Sequence, residues 1–322
     1  MNDNHQHGDF SIQFAPLQGY TEAAYRNAHS ACFEGVDAYY TPFIRVEKEG
    51  FRSKDLREID PTRNRAPRLI PQLIASTPEK AEAILSLFIE KGYKEVDINL
   101  GCPFPLIAKR HNGSGLLPYP EEVEALLRLV SRYTDISFSV KMRLGWDSPE
   151  ECLRLAPLLN EVPLRQITLH PRLGKQQYKG TTDLEAFDAF RHVCHHPLVY
   201  NGDLRTLEDI QNIRTRFPGL AGVMIGRGLL ANPALALEYR QGTALPCGKK
   251  MEKIRQMHDL VFQSYEQQLE GGEMQLLSKI KAFWEYLLPD ADKKLLKAIH
   301  KSNRISRYQQ AVDALFYGSK HE

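Results

Sequence analysis

Short runs of β-branched and apolar residues recur along the chain, separated by stretches whose apolar positions repeat at helical spacing. The strand-like runs are SIQFAPL (11–17), DAYYTPFI (37–44), RLIPQLIA (68–75), EVDINLG (95–101), SFSVKMRLG (137–145), RQITLHPR (165–172), LVYNGD (198–203) and GVMIGRG (222–228). Between them lie amphipathic segments such as PEKAEAILSLFIEKG, EEVEALLRLVSRY, PEECLRLAPLLNEV, DLEAFDAFRHVC and TLEDIQNIRTRF, several opening on the Pro, Asp or Thr that favours a helix start. Regular alternation of strand and helix predicts parallel pairing with crossover helices. Eight such units in roughly 240 residues fit an α/β fold of the (β/α)8 TIM-barrel kind better than an open doubly wound sheet. The second unit is the weakest, because VEKEGFRSKDLREID is polar and charged and predicts a long loop with a short helix.

Past the Gly and Pro residues near 242–248 the strand pattern stops, and everything beyond reads as helix. The expected organisation is a barrel over 1–243, a linker at 244–248 and a small C-terminal all-helical domain over 249–322. A formal net charge of +2 over 322 residues means that affinity for an anionic partner must come from local clusters of Lys and Arg. The N-terminus is polar with no apolar h-region, and no run approaches the ~18 consecutive apolar residues of a membrane span, so a soluble, cytoplasmic protein is expected. Five scattered cysteines without a Cys-x-x-Cys pair argue against a disulfide framework and against a zinc or iron–sulfur site. Each is expected to be a free thiol, and no metal is expected.

The segment DINLGCPFPLIAKRHNGSGLL (97–117) ends a strand on Gly101, Cys102 and Pro103 and then runs through a basic, glycine-containing loop. A free cysteine is most often a small buried hydrophobe. In a barrel, however, chemistry gathers at the C-terminal strand ends, where Cys102 falls. Gln72, Asn99, Lys141 with Arg143, His170 with Arg172, and Asn201 with Asp203 end five successive strands in the same way, and together they describe a lined pocket. Gly101 is read as permitting an unusual backbone conformation and Pro103 as fixing the next φ, so that the thiol is presented on its loop.

IGRGLLANP places Gly226, Arg227 and Gly228 between a strand and a helix, where backbone N–H groups can hold an anion. Its match to G-x-G-x-x-A is weak evidence for a dinucleotide fold, since no strand with an acidic residue follows. A barrel instead expects a phosphate near its seventh and eighth strands, and Asn201, Gly202 and Asp203 with Gly226 and Arg227 supply such a site. With Gln72, Asn99, Lys141 and His170 below the mouth, the set suits flavin mononucleotide (FMN).

These residues resemble the tRNA-dihydrouridine synthases, through APLQGYTEAAYR, PQL, NLGCP with NGSGLL, VKMRLGW, HPRLGKQQYKG, NGD and MIGRG, in order along the barrel. The resemblance implies a flavin enzyme that reduces the 5,6 double bond of selected uridines in tRNA, with NADPH recharging the flavin. It makes Cys102 the general acid that protonates the base opposite the hydride, a task a mostly protonated thiol can perform. Asn99 and Arg143 are then expected at the uracil edge and Tyr178 against the base. Pro16 and Leu17 are expected to line the flavin, and Arg172 to bind cofactor or substrate. Leu17 stands where many members carry Met, Pro171 where many carry Gly, and NGSGLL is a shorter version of the usual loop.

A base inside folded tRNA must leave its stack to reach such a pocket, and the RNA backbone needs a basic surface. Lys279, Lys281, Lys293, Lys294, Lys297, Lys301, Arg304 and Arg307 cluster in the helical region, and Lys109, Arg110 and His111 follow Cys102. Lys294, Lys297 and Lys301 are expected to touch tRNA, with the enzyme acting as a monomer. Two alternatives stay open: a flavin barrel acting on a small molecule, and a non-catalytic RNA-binding barrel.

Overall fold

The computed structural model describes residues 10–48 and 50–318. Nine parallel strand segments form one sheet: β1 (Ser11–Phe14), β2 (Ala38–Tyr40), β3 (Leu69–Ile70), β4 (Gln72–Leu73), β5 (Glu95–Leu100), β6 (Ser137–Gly145), β7 (Leu164–Leu173), β8 (Leu198–Tyr200) and β9 (Gly222–Ile225). Their order is β3-β2-β1-β9-β8-β7-β6-β5-β4. Because β3 and β4 are one strand interrupted only by Pro71, which has no N–H to give to a ladder, the two ends of that order meet and the sheet closes as a (β/α)8 barrel. The run expected over 37–44 is likewise shorter, since the chain bends at Pro42 and rejoins the sheet as a single bridge between Ile44 and Leu73.

Around the barrel lie α1 (Ala23–Cys32), α2 (Ser53–Glu58), α3 (Pro78–Glu90), α4 (Pro105–Ala108), α5 (Pro120–Val130), α6 (Glu150–Asn160), α7 (Leu184–Val193), α8 (Leu207–Arg216), α9 (Arg227–Ala231) and α10 (Leu235–Gln241). The local reasons are visible in the sequence. Thr77 and Asp183 accept from backbone N–H groups at the starts of α3 and α7, and Thr206 and Asp209 form a reciprocal capping box on α8. Helix α5 buries Val123, Leu126, Leu127 and Val130, one apolar stripe at helical spacing. The short α2 in a long loop is the expected weak second unit.

The main core lies between the outer faces of the strands and these helices, with Phe138, Val140, Met142 and Leu144 of β6 all buried. The barrel interior is less apolar than usual for the fold. At its lower end Gln13 of β1 and Gln166 of β7 exchange hydrogen bonds of 2.9 Å across the barrel, and the Tyr40 hydroxyl donates to Gln13 at 2.8 Å. A thin apolar layer of Ala38, Ile70, Val199 and Met224 lies apart from the main core.

The helical region comprises α11 (Cys247–Gln268), α12 (Gly272–Lys281), α13 (Lys293–Lys301) and α14 (Ile305–Tyr317). Helix α11 starts inside the segment expected to be linker, and its buried Ile254, Met257 and Val261 share the core of the barrel. Lys253 of α11 donates to the Cys32 carbonyl at the end of α1. No helix among the described residues is long and apolar enough to cross a membrane.

Candidate active site at the C-terminal rim

Period-two alternation along β5, β6 and β7 turns Asp97 and Asn99, Ser139, Lys141 and Arg143, and Thr168, His170 and Arg172 into the barrel, while their apolar neighbours face the helices. The strand ends open into a cavity enclosing about 970 Å³ of empty space, part of it open to solvent. Its wall includes Pro16, Leu17, Gln72, Asn99, Cys102, Lys141, Arg143, His170, Tyr178, Asn201, Gly202, Asp203, Gly226 and Arg227, which brings together every site residue expected in the barrel except Arg172.

Cys102 is held by its backbone from both sides. The Asn99 Oδ1 accepts from the Gly101 and Cys102 N–H groups at 3.0 and 2.8 Å, and the Cys102 carbonyl accepts from the Ser114 N–H and hydroxyl at 3.1 and 2.9 Å. The Arg143 guanidinium donates to the Gly101 carbonyl at 3.1 Å and to the Leu173 and Gln177 carbonyls at 2.8 and 2.6 Å, tying this loop to the one that carries Tyr178. The unusual backbone expected at Gly101 lies instead at Gly113, with φ +60°, where an added Cβ would come within 2.7–2.9 Å of Cys102. Gly101 has no positive φ. Burial pushes the Cys102 thiol above its ordinary range, against a backbone contact from Phe104 that pulls the other way, so it is protonated at neutral pH.

Beneath it runs a chain that begins on a carboxylate. Asp97, fully buried, accepts from the Ser139 hydroxyl at 2.5 Å and from the Gln72 Nε2 at 2.7 Å, and the Gln72 Oε1 accepts from the Asn99 Nδ2 at 2.7 Å. An ionised carboxylate only accepts, so Gln72 must offer it the amide nitrogen, and each amide orientation above is set in turn. Burial raises the Asp97 carboxyl to about 6, still ionised at neutral pH. Asp97 and Ser139 escape a reading based on strand ends alone. Their signal was the period of two, which puts Asp97 on the same face as Asn99 and Ser139 on the same face as Lys141.

The Lys141 ammonium has no hydrogen bond or ion pair among the described residues. Burial, helped by the neighbouring Arg143, lowers its ammonium to about 8. His170 is held well below its ordinary value by burial and then by the surrounding cations Arg143, Lys141 and Arg172, so its ring is neutral and its Nε2 accepts from Arg172 at 3.2 Å. Arg172 stands behind the wall rather than in it. It also donates to the Gly180 carbonyl and pairs with Asp203, and its buried Nε has no partner among the described residues. Asp203, at φ +46°, bonds Arg227 at 2.9 Å as well, so its carboxylate joins two arginines at the cavity wall.

These features fit a flavin: an ammonium without a salt bridge and a neutral imidazole suit the ring's polar edge, and the Arg227 guanidinium with the backbone of Gly202 and Gly226 offers hydrogen-bond donors to a phosphate. At the mouth, the half-exposed Tyr178 ring lies 4.8 Å from the Arg227 guanidinium and 5.5 Å from that of Arg143. Outside the cavity, Lys294, Lys297 and Lys301 are exposed on α13, unpaired among the described residues. Three other basic residues expected to face RNA are engaged within the fold: Lys279 pairs with Glu22, Lys281 with the Ser302 carbonyl, and His111 with Glu122 while stacked on Tyr119.

A closed parallel barrel whose rim gathers a held thiol, an unpaired ammonium and a neutral imidazole around one cavity defines an α/β-barrel enzyme. Residues 13–297 match the family model described as dihydrouridine synthase. The chain belongs to that family. The tRNA-dihydrouridine(16) synthase of Aquipseudomonas alcaligenes is 30% identical over 252 residues, 76% of this chain and 78% of that enzyme. The tRNA-dihydrouridine synthase B of Vibrio vulnificus is 29% identical over 180 residues, which span 56% of its length. Among solved structures, a variant of NCR from Zymomonas mobilis (TM-score 0.51, 13% identity, 73% of this chain and 87% of that one) and TcOYE with pHBA (TM-score 0.51, 14% identity, 73% and 89%) share the fold.

Proposed function

We propose that this chain is a cytoplasmic, FMN-dependent tRNA-dihydrouridine synthase that uses NADPH to reduce the 5,6 double bond of specific uridines. The reading is carried by one observation: a protonated thiol, fixed by its backbone from both sides, shares a cavity with an ammonium and an imidazole that form no salt bridge among the described residues. Lys141, Gln72, His170, Asn201, Gly202, Gly226 and Arg227 hold the flavin, with Pro16 and Leu17 against it. The bound, reduced flavin supplies hydride to carbon 6 of the uracil. Cys102 donates the proton that completes carbon 5, and solvent returns a proton to the thiolate. Arg143 places positive charge near the carbonyl where negative charge develops, while it holds the Cys102 loop. Tyr178 closes over the base. Asn99, with its Oδ1 already used, presents its one remaining amide hydrogen to the uracil edge. Lys294, Lys297 and Lys301 engage tRNA phosphates.

Against a small-molecule substrate stands the row of unpaired lysines on α13, which such a reaction does not need. The test is twofold. Purified protein should be yellow, release FMN on denaturation and be bleached by NADPH. Mapping dihydrouridine position by position in tRNA from cells lacking the gene, and from the same cells given it back, should show loss and restoration at particular sites. An unchanged map together with no product from purified enzyme and tRNA would reject the assignment.

A further inference from the structure

The loop that carries Cys102 displays two large apolar side chains that the chemistry above does not use. Phe104 is 56% exposed and Leu106 65% exposed, while Ile107 and Ala108 beside them are buried and anchor α4 against Gly115, where an added Cβ would strike the Ala108 carbonyl at 2.3 Å. Other large exposed hydrophobic side chains, such as Ile89, Leu260 and Met274, do not follow residues that line the cavity. Phe104 is also set in place by its neighbours. It lies between Pro103 and Pro105, and a residue before proline is confined to the extended region it occupies, at ψ 124°. An exposed ring on a backbone this restricted loses little freedom when it is buried against a partner.

What surrounds the ring selects the partner. Cys102 and Pro103, immediately before it, line the cavity that takes the base, and Lys109 and Arg110, immediately after α4, are exposed cations. An apolar wedge between this cavity and exposed positive charge matches the stacked bases of an RNA strand. Extruding a uridine leaves its former neighbours without a stacking partner, and opening the stack is an unfavourable step of such reactions.

We propose that Phe104, with Leu106 adding apolar surface beside it, enters the RNA stack in the place vacated by the target uridine and holds the extruded state open. This rests on the tRNA reading above. It makes Phe104 a positioning residue: it stabilises the extruded state, and Cys102 performs the proton transfer.

The test uses whole enzyme and a tRNA carrying 2-aminopurine next to the mapped target uridine, with single-turnover dihydrouridine formation followed in parallel. Wild-type enzyme should raise the fluorescence on binding and form product. Phe104→Ala should cut the rate on folded tRNA by about tenfold to a hundredfold, the scale of removing one base–aromatic stack, and abolish most of the fluorescence rise. Phe104→Trp should restore both. On a short unstructured oligonucleotide with the same uridine, where no stack has to be opened, Phe104→Ala should match wild type within about twofold. Wild-type behaviour of Phe104→Ala on folded tRNA would assign the patch to some other partner and overturn the proposal. So would equal losses on both substrates, which would mark a general defect of the loop. Absence of product with the wild-type enzyme on any tRNA would instead overturn the functional reading itself.

Discussion

Replacing Gly113 by alanine tests whether the backbone that holds Cys102 matters for the chemistry. The residue adopts φ +60°, and its added Cβ would lie 2.7 Å from the Cys102 carbonyl oxygen, 2.8 Å from its Cβ and 2.9 Å from its nitrogen. A side chain in left-handed backbone costs roughly 1–2 kcal/mol, and forcing a methyl group into a filled site costs about 1–3 kcal/mol more. The approaches are about 0.6 Å short of ordinary van der Waals distance, and they fall on backbone that cannot rotate aside, so Cys102 itself must move. Gly113 does not line the cavity, so FMN should still bind. The expected result is a variant that stays yellow, melts several degrees lower and forms dihydrouridine ten- to a hundredfold more slowly in single turnover, the cost of displacing a reacting group by a fraction of an ångström to an ångström. Flavin absorbance, a thermal melt and quenched-flow product analysis read the three quantities separately. A wild-type rate from a folded Gly113→Ala enzyme would show that the position of Cys102 is not what the loop is built to control.

Cys102→Ala should keep the flavin and its reduction by NADPH yet lose about 10²- to 10⁴-fold in dihydrouridine formation, as the deletion of a general acid does. Since burial holds the thiol above its ordinary pKa and the protonated form is the active one, the wild-type rate should be flat through neutral pH and fall only above the ordinary thiol range; a fall between pH 6 and 8 would contradict this. Lys141→Met should weaken FMN retention, measured by dialysis and residual absorbance. The folded Lys141 titrates near 8 against 10.5 for a free lysine, so the cost of its buried charge is full at neutral pH and disappears as pH rises from about 8 to 10.5. Acceptor atoms on the ring's polar edge favour the protonated ammonium, and FMN affinity should therefore be level near neutrality and decline above about pH 8 in wild type but not in the variant. Charge reversal of Lys294, Lys297 and Lys301 together should weaken tRNA binding and flatten its log–log salt dependence by roughly one unit for each phosphate that is no longer neutralised; unchanged affinity and slope would remove α13 from the RNA interface.

Most of the architecture was written in the one-dimensional pattern. Alternating strand and helix periods defined the barrel, and because all strands run parallel, their C-terminal ends share one rim, so Gln72, Cys102, Lys141, His170 and Asn201 could be gathered into one site without coordinates. The polar break in the second unit and the helical C-terminal region were legible for the same reason: periodicity is local. What each polar group does once it arrives was not. Asn99 uses its Oδ1 on the Cys102 loop, Arg172 stands behind His170 and Asp203, and Lys279, Lys281 and His111 are taken by partners from 11 to 257 residues away. The buried carboxylate of Asp97, which orders the amides beneath the thiol, looked like one more strand residue. Hydrogen-bonding capacity is finite, and a group committed to one partner is withdrawn from every other. The sequence determines which groups reach the rim, and only tertiary structure decides which of them remain free to meet a ligand.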